Sequence, residues 1–475
     1  MTISFFRDFY LAVILTGLLL QLANPSTSFS QTNLKPSSGE KQLTFDPNGH
    51  FINQRQAISP TDQWVVYDGR NAGTNLGEVG VIGLLDLVSG EQTRVYEIAE
   101  QTPFGPGAGA AVFHPHLEEI TFIHGLINAN QAHPYHISRR SGMALNLKQK
   151  NNPILVTQEA RDVSFPFTPG ALRGGTHAHS YSGDGEWISF TYNDEVLEKA
   201  ALENPAMKDL RTIGFSMPGK AVQIQGITGP EEFSGSKFSM LAARVTPNPQ
   251  PGTDEIQKAY EECWLGTDGY TNAEGQKMKH ALAYLGDLKT KDGKLITEIF
   301  ISELPNDPNT LLQASGLEGS PSSLPGVPEA IQQKRLTHTE DRKYPGIQGP
   351  RQWLRTSADG AFIYAYLKDE NGVVQLMEIS SQTGNFRQIT TNIFSPDTSF
   401  SLSPDGKYVA YGSKNQLYLT EVSSGKTQKV GDEPKSEWSD LRNINWSHSG
   451  KFLVYNRTVK DMNGSYFQIF RLDVR

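Results

Sequence analysis

One short pattern recurs along the chain and limits what it can fold into. A serine is followed by a tight Asp-Gly or Ser-Gly turn and then by alternating aromatic and aliphatic residues. It reads SPDGKYVAY at Ser403–Tyr411, SADGAFIYA at Ser357–Ala365, SHSGKFLVY at Ser447–Tyr455 and SGDGEWISF at Ser182–Phe190. Weaker copies are SPTDQWVVY at Ser59–Tyr67, HPHLEEITF at His114–Phe122 and SGSKFSML at Ser234–Leu241. Asp-Gly and Ser-Gly accept positive φ in a tight turn, and the alternation after them suits a half-buried strand. Each copy is therefore expected to lie in a small antiparallel sheet.

Two copies continue alike. Lys368-Asp-Glu-Asn-Gly372 leads into Val373–Ile379, and Lys460-Asp-Met-Asn-Gly464 leads into Ser465–Leu472. Asn-Gly is a hairpin signal. A further strand closes each unit, as at Arg387–Thr390 and Lys334–Thr337. The best-defined turns recur at the 40–50-residue period of a four-stranded propeller blade. The last unit lacks a closing strand, and Lys41–Thr44 stands alone before the first. An all-β, single β-propeller follows, its N-terminal strand joining the C-terminal blade and removing the open seam. Starts near 54, 109, 177, 232, 350, 397 and 441 predict seven blades. The long interval from 232 to 350 leaves six or eight open.

The 475 residues carry a formal charge of −8, with 43 Lys and Arg against 51 Asp and Glu. A nucleic-acid surface needs clustered cations to displace counterions, so no nucleic-acid partner is expected. The single Cys263 allows no internal disulfide. Arg7 and the apolar run Leu11–Ala23, ending in Ser28-Phe29-Ser30, suit a signal peptide over residues 1–30. That implies a periplasmic or secreted protein with no membrane span after cleavage. Residues 31–40 read as a flexible linker, and 41–475 as the propeller. Two segments interrupt it. Residues 246–279 hold a short surface helix near Asp254–Glu262, and 305–333 form a long Pro-, Ser- and Gly-rich loop.

Several stretches carry a resemblance. TPGALRGGTH at Thr168–His177, FTYND at Phe190–Asp194, TPNPQPGTDEI at Thr246–Ile256, AYEE at Ala259–Glu262 and FIHG at Phe122–Gly125 resemble the YidR-type bacterial family of TolB-like propellers. The likeness covers essentially all of 41–475. It implies the propeller fold and brings no activity with it.

Chemistry-bearing residues are sparse. His177 and His179 sit at i and i+2 of an expected innermost strand, where side chains share a face and could together hold a divalent metal. Aligning the turns places Gln54, Gly109, Gln352, Thr398 and Arg442 opposite His177, a mostly polar ring at the channel mouth. The equivalents of His179 are mostly apolar, which favours packing for that histidine. Arg173, before Gly174-Gly175, could clamp a carboxylate or phosphate. Tyr192 and Asp194 end the following strand, where Asp194 suits turn chemistry or a ligand role. Arg351, Gln352 and Trp353 could form an aromatic and cationic lip. Glu261 and Glu262 read as a solvated helix face. No G-x-S-x-G or phosphate-binding loop occurs, and Ser234-Gly-Ser-Lys237 stands without the companion motifs of a serine nucleophile. The expected function is an exported binding scaffold whose channel mouth meets a protein, peptide or glycan. The alternative is a metal-dependent hydrolase or lyase acting on acidic saccharides.

Overall fold

A computed structural model describes residues 39–149, 154–462 and 464–474. The signal peptide and most of the linker expected from the sequence lie outside these residues. Among the described residues, no helix is long and apolar enough to cross a membrane.

Seven four-stranded antiparallel sheets follow one another along the chain. Their innermost strands are Phe51–Ile52, Ala108–Phe113, Gly174–Tyr181, Ile256–Trp264, Arg355–Thr356, Ser401–Leu402 and Trp438–Trp446. We number these blades 1 to 7. The Asn371-Gly372 turn leads into the third strand Val374–Ser380, and the matching third strand of the last blade is Gly464–Asp473. Apolar clusters fill the spaces between neighbouring blades. Phe215, Met240, Ile256 and Phe300 join blades 3 and 4, and Tyr366, Leu376, Phe400 and Tyr411 join blades 5 and 6. Each sheet thus buries both faces against its neighbours, and the core is distributed around the ring.

The ring closes as expected. Lys41–Gln42 pairs antiparallel with the last strand, Lys41 opposite Arg471 and Gln42 opposite Phe470. Just upstream, Glu40 forms a two-point ion pair with Arg457 at 2.8 and 2.9 Å, both side chains fully buried. Two parallel N–H···O bonds fix geometry as well as charge, so this pair anchors the closing strand.

Blade 4 departs from the sequence reading. Its innermost strand is Ile256–Trp264, where a surface helix was expected. Ser234–Leu241 belongs to blade 3 and supplies its outermost strand, Phe238–Leu241. The fourth blade therefore starts near 256 rather than 232, which shortens the overlong interval, and the extra hairpin and the 305–333 segment fill what remains. An extra hairpin, Tyr270–Thr271 with Lys277–Met278, replaces the usual tight turn between the first two strands of this blade. Residues 305–333 form mostly irregular chain with a short helix at Pro308–Leu312. This segment packs Leu311, Leu317 and Ile331 into the cluster between blades 3 and 4.

Candidate functional site

The central channel is divided into two cavities. Arg55 of blade 1 donates to the carbonyl oxygens of Ala178 in blade 3 and Glu262 in blade 4, and to the Glu262 carboxylate at 3.1 Å. A side chain that bonds blades 1, 3 and 4 at once spans the axis of a seven-blade ring. Glu262 is fully buried and also accepts from Ser189 at 3.2 Å and Thr191 at 3.0 Å. Arg355 of blade 5 crosses to the Gln54 carbonyl at 2.9 Å, and burial lowers its pKa to about 10. On one side of this divider lies a cavity of about 850 Å³, and on the other one of about 350 Å³. The larger is of ligand size.

Its wall is shaped by a repeated backbone device. Ala110, Ala178, Glu261 and Asn443 occupy the same register on the innermost strands of blades 2, 3, 4 and 7, and all have φ between 56° and 59°. Each sits in a break of strand pairing, between Gly109 and Val112, His177 and Ser180, Tyr260 and Cys263, and Arg442 and Asn445. A β-bulge sets two residues against one and re-aims the side chains around it. Side chains two positions apart across the bulge therefore need not share a face.

That corrects the expected histidine pair. His177 lines the large cavity, and His179 does not. The His179 ring is fully buried, with Nε2 3.0 Å from both Glu159 Oε1 and Thr176 Oγ1. Opposite it, a Cβ on Gly142 would stand 2.7 Å from His179 Nε2, so a glycine is needed there. Manganese, zinc or iron would need three or four donors converging on one point. Among the described residues, no group of three or more His, Cys, Asp or Glu is placed to hold a metal. The donor set at His177 does not fit a resident divalent ion.

Four positions of the predicted polar ring meet the cavity. Gln54, His177, Thr398 and Arg442 line the cavity. Gly109 brings no side chain. Gln352 turns away from the cavity, and its amide pairs with the Tyr366 backbone, accepting from N at 2.6 Å and donating to O at 3.3 Å. Its neighbours Arg351 and Trp353 supply the lip instead, the Arg351 guanidinium lying 4.2 Å from the centre of the Trp353 ring. Arg351 also pairs with Glu261 at 2.8 Å, and burial raises that carboxyl above its usual range.

Arg173, Tyr192 and Asp194 are buried and bond one another. Arg173 is fully buried and reaches Asp194 Oδ2 through Nε at 3.1 Å and Nη2 at 2.7 Å. It also donates to the Ser320 and Ser323 carbonyls of the long loop at 2.6 and 2.8 Å. Tyr192 donates to Asp194 Oδ2 at 2.9 Å. Asp194 Oδ1 accepts from Leu197 N and caps the helix Glu195–Glu203. This cluster locks blade 3, its helix and the 305–333 loop together, and the sequence reading of an exposed clamp fails.

Arg140, absent from the sequence-derived set, also lines the cavity. It opens the third strand of blade 2, is 8% exposed, and has no carboxylate partner among the described residues. The sequence signal was thin: two adjacent arginines, Arg139 and Arg140, before an otherwise apolar strand. Lys414 and Asn415 reach the same cavity from a tight turn in blade 6, both at positive φ. Burial, with Arg140 and Arg211 next in weight, pushes the His177 imidazole well below its ordinary range, so at neutral pH it is uncharged. The other candidates are satisfied. His124 contacts Tyr96 Oη at 2.8 Å and the Gly125 carbonyl at 2.6 Å, and burial pushes the Cys263 thiol up to about 12.

Comparison with known proteins sets this geometry in a family. Uncharacterized protein YidR of Escherichia coli (strain K12) is 36% identical over 393 residues, 82% of this chain and 88% of that protein. The chain belongs to the YidR family. Residues 107–231 match a family described as "Protein of unknown function (DUF3748)". That stretch spans blade 2 and most of blade 3, and so includes Arg140, His177 and the Arg173 cluster. Among solved structures, an oligogalacturonate lyase in complex with manganese aligns at TM-score 0.53 with 11% identity, covering 93% of this chain and 95% of its own. TolB from Acinetobacter baumannii aligns at TM-score 0.35 with 13% identity, covering 88% and 84%. At 11% identity the likeness to the oligogalacturonate lyase speaks for the fold alone.

Proposed function

We propose that this chain is an exported, non-catalytic binding propeller that receives a small ligand, or the tip of a peptide or glycan partner, in its large cavity. One observation carries the reading: the Arg55–Glu262 contacts lie between a cavity of about 850 Å³ and a smaller one of about 350 Å³, and the larger is walled mostly by polar and charged side chains. Pockets of ligand size bury most of a small molecule and orient it with a few polar groups. Export is supported by the sequence of residues 1–30.

Untagged mature protein, screened against peptide and glycan arrays with elemental analysis alongside, tests the proposal. The expected result is retention of an array member that falls at least tenfold in Trp353→Ala, with no turnover of it. Turnover of a saccharide together with stoichiometric divalent metal, both lost in His177→Ala, would overturn it in favour of the metal-dependent lyase or hydrolase.

A further inference from the structure

The large cavity concentrates polar atoms that the fold leaves without a partner. Gln54 Nε2, Arg140 Nε, both ring nitrogens of His177, Trp353 Nε1 and Arg442 Nε are buried and make no hydrogen bond, and all five residues line this cavity. Buried polar groups in folded proteins almost always find partners, so such a cluster calls for an explanation. Its chemistry is one-sided. The amide, guanidinium and indole nitrogens can only donate, and a neutral imidazole adds one donor and one acceptor. Donors outnumber the single imidazole acceptor, so the set suits an anion better than a cation.

Charge runs the same way in a protein whose net charge is −8. Arg70, Arg140, Arg351, Lys414 and Arg442 line the cavity against only two carboxylates, Asp397 and Asp440. Arg70 is neutralised by Asp68 at 2.6 Å and Arg351 by Glu261 at 2.8 Å. Arg442 stands 3.6 Å from Asp440 and is 41% exposed. Arg140 is 8% exposed and has no carboxylate partner among the described residues. Its nearest oxygen partner is the Tyr135 hydroxyl. Burying an unpaired guanidinium is costly, and an anion in the cavity would remove that cost.

We infer that Arg140 and His177 form the seat for the carboxylate or phosphate of a small, hydroxyl-bearing ligand, with Gln54, Trp353 and Arg442 donating to its remaining oxygens. The inference rests on the cavity being the ligand seat proposed above. It adds the class of ligand. Asn53, Thr398, Ser399, Asn415 and Asn443 complete the wall with groups suited to hydroxyls, and the Trp353 ring at the lip offers a flat apolar face.

Calorimetric titration at low salt tests it, with trigalacturonate against its fully methyl-esterified form and glucose 6-phosphate against glucose. One anion of the two is expected to bind at least tenfold more tightly than its uncharged counterpart, and which one does so identifies the source of the charge. Arg140→Gln should remove that difference. His177→Gln should weaken the anion several-fold. Anion binding in the wild type should also move the ring resonances of His177, seen with labelled histidine, and leave those of His179 in place. Equal affinity for charged and uncharged forms would overturn the anion seat while leaving the binding propeller standing. Silence of all four probes would overturn the anion seat, while the array result decides the binding propeller separately. An anion preference that persists in Arg140→Gln with unmoved His177 resonances would place the anion elsewhere.

Discussion

Two arginines near the top of blades 2 and 3 illustrate how alike residues can have opposite roles. Arg173 satisfies its donors within the protein: Asp194 takes two bonds and the Ser320 and Ser323 carbonyls take two more. Arg140, on the neighbouring blade, keeps Nε unbonded and faces a cavity with no carboxylate beside it. In sequence Arg173 reads as a ligand clamp, because glycines follow it, and Arg140 is not singled out. In three dimensions those glycines are steric necessities, since a Cβ on Gly174 would lie 1.9 Å from the Asn193 carbonyl. A binding residue is marked by hydrogen-bonding capacity that the fold leaves unmet.

The sharpest way to break this contrast is to remove the partner of the satisfied arginine. Asp194→Asn should lower unfolding stability in urea by about 3–5 kcal/mol, because it strands a buried charge. It should leave the affinity of the cavity for its anion unchanged. The divider comes next. Glu262→Gln weakens charge-assisted bonds to Arg55, Ser189 and Thr191 and should cost about 1.5–3 kcal/mol by the same measurement. It should also loosen the wall between the two cavities, read as faster exchange of the Ala178 and Glu262 amide hydrogens.

A smaller effect follows from Asp209, which accepts from Asp194 N at 2.7 Å and Asn193 Nδ2 at 2.6 Å beneath the blade 3 helix. Burial raises its carboxyl from 3.8 to about 6. The native state then holds the proton more tightly than the unfolded chain does between those values. The Asp209 contribution to stability is therefore greatest below about pH 4 and falls as pH rises to about 6. Asp209→Asn should lack this slope and gain on the wild type by on the order of 1 kcal/mol at pH 7, measured by urea unfolding across pH. The smallest change in stability belongs to Arg140. Arg140→Gln should shift it by less than about 0.5 kcal/mol, or raise it slightly, since a charge without a partner is removed.

The propeller was legible because its signal is local and repeated. Asp-Gly turns and alternating strands depend on a few adjacent residues, and the closing strand at Lys41–Gln42 follows from counting. Blade 4 was misplaced because the hairpin at Tyr270–Met278 replaces the tight turn that announces the other blades. Asp254 and Glu255 also imitated a helix start. The site was legible only in outline. Turn alignment found Gln54, His177, Thr398 and Arg442. It could not see the bulges at Ala178 and Asn443, which break the rule that residues two apart share a face. It therefore paired His177 with His179, which the structure separates. Whether an arginine is satisfied depends on residues far away in sequence, as Arg173 depends on Ser320 and Ser323, and no local pattern reports that.

The contrast can be read in one calorimetric series, titrating whichever of trigalacturonate and glucose 6-phosphate binds the wild type into Arg140→Gln and Asp194→Asn, with unfolding midpoints recorded for all three. Affinity is expected to fall at least tenfold with the midpoint kept in Arg140→Gln, and to be kept with the midpoint lowered in Asp194→Asn. Affinity lost in Asp194→Asn and kept in Arg140→Gln would contradict it.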